Sequence, residues 1–170
     1  MKEIIKTSRL EIKPYKESDR MGMIELLTNN EIKKTYMIPD FQTEEELTGM
    51  VKKLQEFSLS EDHFERGIYA DDNLIGFVND VEIGNDIIEL GYVIHPVFHN
   101  NGYATEMLKS VIDELLHGKF STVVAGAFVD NSASIRVMQK CGMVKIEKED
   151  DVVYQGVKRH CVYFAASIKE

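Results

Sequence analysis

The residues best suited to chemistry lie in a turn between a predicted strand and a predicted helix. The strand spans Ile87–Ile94, the turn spans residues 95–101, and Gly102 leads into the helix. A strand that enters a helix through a glycine leaves several unpaired backbone N–H groups aimed at one point, and the positive end of the helix dipole adds to them. The sequence therefore predicts an anion site at this turn, most naturally for phosphate.

The helix after the turn has one uninterrupted apolar stripe and is predicted to end before Gly118. The stripe consists of Ala104, Met107, Leu108, Val111, Ile112, Leu115 and Leu116. No Gly-Lys-Ser/Thr follows Gly102, so the turn is not a Walker loop, and one glycine is too few for a dinucleotide fingerprint. The predicted anion site therefore belongs to another class of phosphate ligand.

Two histidines within the turn, His95 and His99, have the four-residue spacing of a metal pair. Pro96 breaks any helix that would bring them to one face, and no third ligand is evident. We therefore expect no metal at this site.

Composition and charge limit the classes of protein to which the chain can belong. Its 170 residues, 44% hydrophobic and 29% charged, are typical of one globular domain with its own core. No apolar run approaches the roughly 18 residues of a membrane span, the N-terminus has no signal-peptide core, and two cysteines make no disulfide framework, so we expect a cytoplasmic protein. A formal net charge of −9 argues against nucleic acid as the main partner. It weakly favours a cationic substrate, although an acidic surface commonly serves solubility alone.

Hydrophobic periodicity predicts the elements that precede the turn. They are a strand over 7–14 closed by Pro14, a helix capped by Ser18 with Met21, Ile24 and Leu27 on its apolar side, a short helical piece over 31–37, and a helix that starts from a capping box over 43–46. Strands over 67–70 and 74–78 follow, separated from each other and from Ile87–Ile94 by turn signals at 71–73 and 84–86. These three strands are predicted to form an antiparallel meander.

The helix after Gly102 must cross over to an apolar strand over 122–129. The continuous apolar character of that strand is typical of one that is covered on both faces and parallel to the strand before the helix. A short helix over 131–141 and two final strands over 143–153 and 157–168 complete the chain. The order predicts a single α+β domain over residues 1–170, with a mixed, mostly antiparallel sheet, one parallel strand–helix–strand crossover and flanking helices.

These motifs together resemble the GCN5-related N-acetyltransferases (GNAT). The acyl-CoA pyrophosphate loop of that family reads Gln/Arg-x-x-Gly-x-Gly/Ala, and here it stands as His99-Asn100-Asn101-Gly102-Tyr103-Ala104. The branch that acetylates ribosomal-protein N-termini (RimJ/RimL-like) is matched further by Thr7-x-Arg9-Leu10, Ser18-Asp19, Glu89 to Pro96, Gly102 to Glu106, Asn131, Ser134, Lys140 and Gly142. The resemblance spans nearly the whole chain and implies the GNAT fold, with acetyl-CoA as co-substrate.

The resemblance also implies where acetyl-CoA binds. Backbone N–H groups from Asn100 to Thr105 would hold the pyrophosphate, and His99 in place of Gln or Arg should be tolerated because the loop acts mostly through its backbone. The two parallel strands would splay so that pantetheine pairs with the edge at 92–94, where the N–H of Val93 or Ile94 would bond the thioester oxygen. The full set of implied contacts is Tyr92, Val93, Ile94, His99, Asn100, Asn101, Gly102, Tyr103, Ala104, Thr105, Asn131 and Ser134.

The implied reaction is direct attack of a primary amine on acetyl-CoA in a ternary complex. Glu89 is the first candidate for the general base that takes the proton of the amine. The alternative is that Glu89 is only a charged residue on the outer face of a strand. Many family members place a tyrosine that acts as general acid seven residues after the asparagine, where this chain has Met138. The resemblance therefore implies that Ser134 would protonate the thiolate. The alternative is that the Ser134 hydroxyl only bonds a carbonyl of its own helix. Tyr36 and Phe41, at the tip of segment 31–46, are candidate acceptor contacts together with the last hairpin near 154–160, although Tyr36 is equally suited to the core.

The sequence thus predicts an acetyl-CoA-dependent N-acetyltransferase with no metal cofactor. The acceptor is a protein N-terminus or a small-molecule amine such as a polyamine or aminoglycoside. An acyl-CoA-binding module with weak turnover, favoured by Met138, is the alternative from another class. We expect no nucleic-acid partner and no membrane partner, and a homodimer is left open.

Overall fold

The computed structural model describes residues 3–168, which form eight strands and five helices. In chain order these are β1 (Ile5–Lys6), β2 (Glu11–Lys13), α1 (Arg20–Thr28), α2 (Asn30–Lys33), α3 (Glu44–Leu59), β3 (Glu65–Ala70), β4 (Asn73–Gly84), β5 (Ile87–Ile94), α4 (Tyr103–His117), β6 (Thr122–Phe128), α5 (Ser132–Lys140), β7 (Val144–Tyr154) and β8 (Val157–Ser167). A 3₁₀ turn at Glu17–Asp19 precedes α1, and another at Pro96–Phe98 lies within the predicted anion loop.

The strands follow the order β1-β2-β3-β4-β5-β6-β8-β7 in one mixed sheet. β5 and β6 are parallel, with the register Ile87–Leu90 against Thr122–Ala125. The pairs β1–β2, β2–β3, β3–β4, β6–β8 and β7–β8 are antiparallel. The predicted α+β class, with a mostly antiparallel sheet and one parallel crossover, is confirmed.

The chain divides into two compact units. We call residues Glu3–Asn79 with Tyr92–Tyr103 the N-terminal unit, and residues 80–91 with 104–168 the C-terminal unit. A single domain over residues 1–170 stays a prediction, and residues 1, 2, 169 and 170 lie outside the described part.

The first predicted strand, over 7–14, is largely wrong. The chain makes a hairpin of β1 and β2, and residues 7–10 form its tight turn instead of strand. The turn closes because the Thr7 N–H donates to the Leu10 carbonyl oxygen at 2.9 Å, and the Leu10 N–H donates to Thr7 Oγ1 at 2.9 Å. A hydroxyl that bonds nearby backbone competes with sheet pairing, and a period-two pattern does not reveal this.

Helix α1 starts later than predicted, and its predicted apolar side is only partly correct: Leu27 is buried and Ile24 packs partly buried against the core, but Met21 is exposed. Ser18 lies within the 3₁₀ turn Glu17–Asp19, so it is not the cap of α1, and the helix begins at Arg20. Met21 is 72% exposed, whereas the buried residues are Met23, Leu26 and Leu27. The next helix, α2, is capped by Asn29 and ends at Lys33 and not near residue 37.

Helix α3 starts at its predicted cap. Thr43 Oγ1 accepts the Glu46 N–H at 3.1 Å, and the Glu46 carboxylate accepts the Gln42 N–H at 2.7 Å. The reciprocal bond therefore reaches one residue further back than in a standard capping box. Val51 is buried at the centre of its apolar side, within the core of the N-terminal unit.

In the C-terminal unit the predicted elements agree with the structure to within a few residues. Helix α4 buries the centre of its predicted stripe, which consists of Met107, Leu108, Val111, Ile112 and Leu115. Helix α5 ends at Lys140, and Gly142, at φ +81°, provides the left-handed residue that stops it. The final hairpin turns at Gln155-Gly156, between the two predicted strands.

Candidate active site

The predicted anion loop follows β5 and has two residues in the left-handed region. The turn Pro96–Phe98 comes first, with the Phe98 N–H donating to the His95 carbonyl oxygen at 2.9 Å. Asn100 then has φ +63° and Gly102 has φ +78°. Asparagine and glycine are the residues that adopt this conformation most readily, so the sequence suits the loop at both positions.

The side chain of His99 holds the loop against the end of β5. Its Nε2 donates to the Ile94 carbonyl oxygen at 2.7 Å, because a carbonyl oxygen can only accept. His99 thus stands at the family's Gln/Arg position but serves here as a bond between the loop and the strand.

Asn101 and Arg9 hold three carbonyl groups of the loop. Asn101 Nδ2 donates to the carbonyl oxygens of Phe98 and His99, at 3.1 and 3.0 Å. Arg9 Nη1 donates to the Asn101 carbonyl oxygen at 2.9 Å, and the Arg9 guanidinium lies 4.7 Å from the centre of the Tyr103 ring. Sequence reasoning quoted Arg9 as part of a motif but did not assign it to the site.

The loop keeps several backbone donors for a ligand. Within residues 3–168, the N–H groups of Asn100, Asn101 and Gly102 donate to no other group. Tyr103 opens helix α4, whose first-turn N–H groups have no intrahelical acceptor. A row of such donors before a 15-residue helix is the arrangement that binds phosphate oxygens, so these residues fit the diphosphate of CoA.

The strand residues predicted to hold pantetheine lie just before this loop. Val93 and Ile94 are 6% and 7% exposed, and Tyr92 is half-buried. Gly76 of β4 permits a close approach, since a Cβ there would lie 2.1 Å from the Val93 carbonyl oxygen. The His95 N–H, one residue past β5, donates to the Ile75 carbonyl oxygen at 2.7 Å.

Glu89, the candidate base, is largely buried and ion-paired. Its side chain is 14% exposed, and Lys148 Nζ donates to Glu89 Oε2 at 2.8 Å. That hydrogen bond raises the pKa of Lys148. Lys148 also lies 4.3 Å from the centre of the Tyr163 ring, and burial together with a hydrogen bond to Asp150 raises the pKa of Tyr163 well above its usual range. Sequence reasoning missed Lys148 and Tyr163, because no local pattern connects them with Glu89.

Asn131 and Ser134 contact each other at the start of helix α5. The Ser134 N–H donates to Asn131 Oδ1 at 3.2 Å, and Asn131 Nδ2 donates to Ser134 Oγ at 3.1 Å. Asn131 is therefore the N-cap of α5. Its Nδ2 carries two protons, of which one is donated to Ser134 and the other points away from that bond. Met138, at the position of the family's tyrosine, is fully buried and belongs to the core.

The candidate acceptor contacts Tyr36 and Phe41 both pack on the core of the N-terminal unit while half-buried. Tyr36 Oη donates to Asn79 Oδ1 at 2.7 Å, and its ring meets Phe77 edge-on at 5.4 Å. The last hairpin carries a compact charge cluster, in which His160 lies between Asp151 and Glu149 at 2.8 and 3.1 Å. Both hydrogen bonds, that to Asp151 first, raise the pKa of His160.

The structure thus collects the predicted residues in two groups. The N-terminal unit contains Tyr92, Val93, Ile94 and the loop residues His99 to Tyr103, and the C-terminal unit contains Glu89, Ala104, Thr105, Asn131 and Ser134.

His95 Nε2 contacts Glu25 Oε1 at 3.2 Å, and in the described part of the chain no three acidic, His or Cys side chains form a metal-ligand cluster. No helix within residues 3–168 has the length and apolar character needed to cross a membrane.

Comparison with known proteins defines the class. The model of the acetyltransferase (GNAT) domain matches residues 9–144, so the chain belongs to the GNAT family of acetyltransferases. The uncharacterised N-acetyltransferases YoaA and YnaD of Bacillus subtilis are similar at 25% identity over 165 residues and 27% over 141 residues. These alignments cover 94% and 82% of this chain, and 88% and 81% of the relatives. The chain is accordingly an N-acetyltransferase.

Solved structures share the fold. A GNAT-family acetyltransferase from Bacillus anthracis superposes with a TM-score of 0.82 at 23% identity, covering 98% of this chain and 99% of that one. The microcin C7 self-immunity acetyltransferase MccE, solved with acetyl-CoA and AMP, gives 0.82 at 18% identity, with coverage of 95% and 94%. RimL, the ribosomal L7/L12 alpha-N-protein acetyltransferase, gives 0.83 at 20% identity, with coverage of 98% and 94%. At these identities the likeness establishes the fold alone.

Proposed function

We propose that this protein transfers the acetyl group of acetyl-CoA to a primary amine by direct attack in a ternary complex. The single observation that carries the proposal is the loop before α4, where Asn100, Asn101 and Gly102 present backbone N–H donors without an acceptor in residues 3–168. Membership of the GNAT family supports acetyl-CoA as the ligand that these donors bind.

The loop would hold the diphosphate through the N–H groups from Asn100 to Thr105. The pantetheine arm would pair with residues 92–94 of β5, which follow the four β5 residues that pair with β6. An N–H of Val93 or Ile94 would bond the thioester oxygen as negative charge develops on it, and Asn131 would bond the arm with its remaining amide proton. These contacts are inferred from the family resemblance together with the local geometry.

In the proposed reaction the amine nitrogen attacks the thioester carbon, the carbon–sulfur bond breaks, and the thiolate takes up a proton. Glu89 would accept the proton that the ammonium must lose before the attack. Lys148 Nζ lies at hydrogen-bond distance from this carboxylate, so the acceptor amine would have to displace the Lys148 ammonium before Glu89 takes the proton. Ser134 would protonate the thiolate, and a free thiol is a tolerable leaving group near neutral pH even with a weak acid.

The acceptor that we favour is the α-amino group of a protein N-terminus. RimL acts on ribosomal protein L7/L12, and this chain shares its fold. The motifs matched to that branch, from Thr7 to Gly142, support the same class of acceptor. A small-molecule amine such as a polyamine or aminoglycoside is the other acceptor class.

Thermal unfolding with added CoA tests the binding step. A ligand at 100 times its dissociation constant raises the free energy of unfolding by about 2.7 kcal/mol. Gly102→Glu should abolish this shift, because it puts negative charge and bulk into the phosphate cradle. Gly142→Glu is the matched control, since Gly142 has a similar φ of +81° and open space around its Cβ position, and it should keep the shift. A CoA shift retained by Gly102→Glu would contradict the proposed loop.

Release of CoA thiol from acetyl-CoA across N-terminal peptides, polyamines and aminoglycosides tests the acceptor. We expect turnover with an N-terminal peptide. Turnover with polyamines or aminoglycosides alone would replace the protein acceptor by a small-molecule one, and failure of every amine while CoA still binds would favour an acyl-CoA-binding module.

A further inference from the structure

The N-terminal turn Thr7–Leu10 carries a guanidinium to the predicted anion loop. Its two backbone-closing bonds, both through Thr7, fix the direction in which Arg9 leaves the chain. Arg9 then reaches across 92 residues of sequence to donate to the Asn101 carbonyl oxygen at 2.9 Å. The second terminal nitrogen, Nη2, lies 3.5 Å from the point where a Cβ of Gly102 would be.

Peptide geometry connects that bond with the donors of the loop. The peptide group is planar and trans, so the carbonyl of Asn101 and the N–H of Gly102 point in opposite directions from one plane. A guanidinium that fixes the carbonyl therefore fixes the N–H on the other side. A charge-assisted bond to the oxygen also polarises the peptide and makes its N–H a stronger donor. The Asn101 side chain acts on the His99–Asn100 peptide in the same way, since it holds the His99 carbonyl and so directs the Asn100 N–H.

We propose that Arg9 is a positioning residue for the diphosphate of CoA, and that it acts by orienting and polarising the Asn101–Gly102 peptide. The inference rests on the proposed function, which supplies the ligand, and it adds a residue that lies far from the loop in sequence. It gives the Thr7-x-Arg9-Leu10 motif a specific role: the turn orients the Arg9 side chain, and Arg9 in turn orients the Gly102 N–H.

The role requires arginine and not only a positive charge. A planar guanidinium lies over the Tyr103 ring, 4.7 Å from its centre, while one of its terminal nitrogens donates to the Asn101 carbonyl. Lysine has a single ammonium on a flexible stem and cannot hold both contacts in one fixed orientation. Arg9→Lys should therefore recover only part of the function that Arg9→Ala loses.

The test measures dissociation constants by calorimetry for CoA and for dephospho-CoA, which keeps the diphosphate but lacks the 3′-phosphate. Arg20→Ala is the matched control, because Arg20 is an exposed arginine that bonds Thr48 Oγ1 at 3.1 Å and has no part in the loop. We expect Arg9→Ala to weaken both ligands by the same factor of about ten, equivalent to about 1.4 kcal/mol, with Arg9→Lys in between and Arg20→Ala unchanged.

A second readout separates positioning from a general structural role. In ¹⁵N-labelled protein, the Gly102 amide proton should move downfield when CoA is added to the wild type and to Arg20→Ala, and much less in Arg9→Ala. Three results would overturn the inference: Arg9→Ala affinities equal to those of Arg20→Ala, a loss confined to CoA and absent for dephospho-CoA, or an unchanged Gly102 response. A wild type that fails to bind CoA would instead overturn the proposed function, so the two failures are distinguishable.

Discussion

Gly76→Ala should destabilise the protein and weaken CoA binding, although it adds only one methyl group. Gly76 is buried in β4, and its neighbour is the backbone of β5. An added Cβ would lie 2.1 Å from the Val93 carbonyl oxygen and 3.1 Å from the Ile94 Cα. Contacts below about 3 Å are strongly repulsive, so the two strands would have to move apart by about 1 Å, and this displacement would fall on main chain and not on a flexible side chain.

The expected cost follows from that clash. Overpacking of a close-packed interior costs typically 1–3 kcal/mol, and here the obstacle is rigid backbone, so we expect a loss of about 3 kcal/mol. For a chain of this size that loss lowers Tm by about 6–12 °C. The movement would also displace Val93 and Ile94, whose backbone we propose to pair with pantetheine, and the dissociation constant for CoA should rise by about tenfold.

Urea unfolding followed by circular dichroism, together with calorimetric titration of CoA, measures both effects. Gly49→Ala is the matched control, because Gly49 lies within helix α3 with nothing within 4 Å of its Cβ position. Alanine is the better helix former, so this variant should gain about 0.5–1 kcal/mol and leave CoA affinity unchanged. A Gly76→Ala protein as stable as the wild type would refute the reasoning from the Val93 contact.

Three further predictions concern charged residues. Glu89→Gln should leave CoA affinity intact and lower kcat/KM for the amine by about a hundredfold, most strongly at low pH, where more of the amine is protonated; an unchanged pH–rate profile would remove Glu89 from the mechanism. Lys148→Met should lower KM for the amine in steady-state assays, because the acceptor then has no ammonium to displace from Glu89, and a raised KM would contradict this. His160→Gln should lower Tm relative to wild type at pH 5–6 and have little effect at pH 9: the bonds to Asp151 and Glu149 raise the pKa of His160 above its unfolded value, so their stabilisation is complete below that value and is lost as pH rises through the folded pKa. An equal difference in Tm at both pH values would show that protonation of His160 is not involved.

Local signals were sufficient for the parts of the site that are continuous in sequence. The strand Ile87–Ile94, the turn that enters the helix through Gly102 and the buried stripe of the following helix were all predicted from residue type and spacing. Periodicity reports burial on one element, and glycine reports a backbone conformation, so both can be read without knowledge of neighbouring elements.

The same signals failed where a short polar contact overrode them. The Thr7 hydroxyl turned a predicted strand into a hairpin turn, and the 3₁₀ turn Glu17–Asp19 rotated α1 so that Met21 faces solvent. Each error came from a few local hydrogen bonds, whose energy is comparable to the weak preference on which the prediction depended.

The sequence by itself determined the family, the order of the elements from α1 onward and the loop that we propose for the diphosphate, because each depends on local patterns of residue type and spacing. Only the tertiary structure brought Arg9 to Asn101 and Lys148 to Glu89, pairs separated by 92 and 59 residues. Such pairs depend on the direction and register of strands and turns that are distant in sequence, since a shift of one residue would turn a side chain to the opposite face of the sheet.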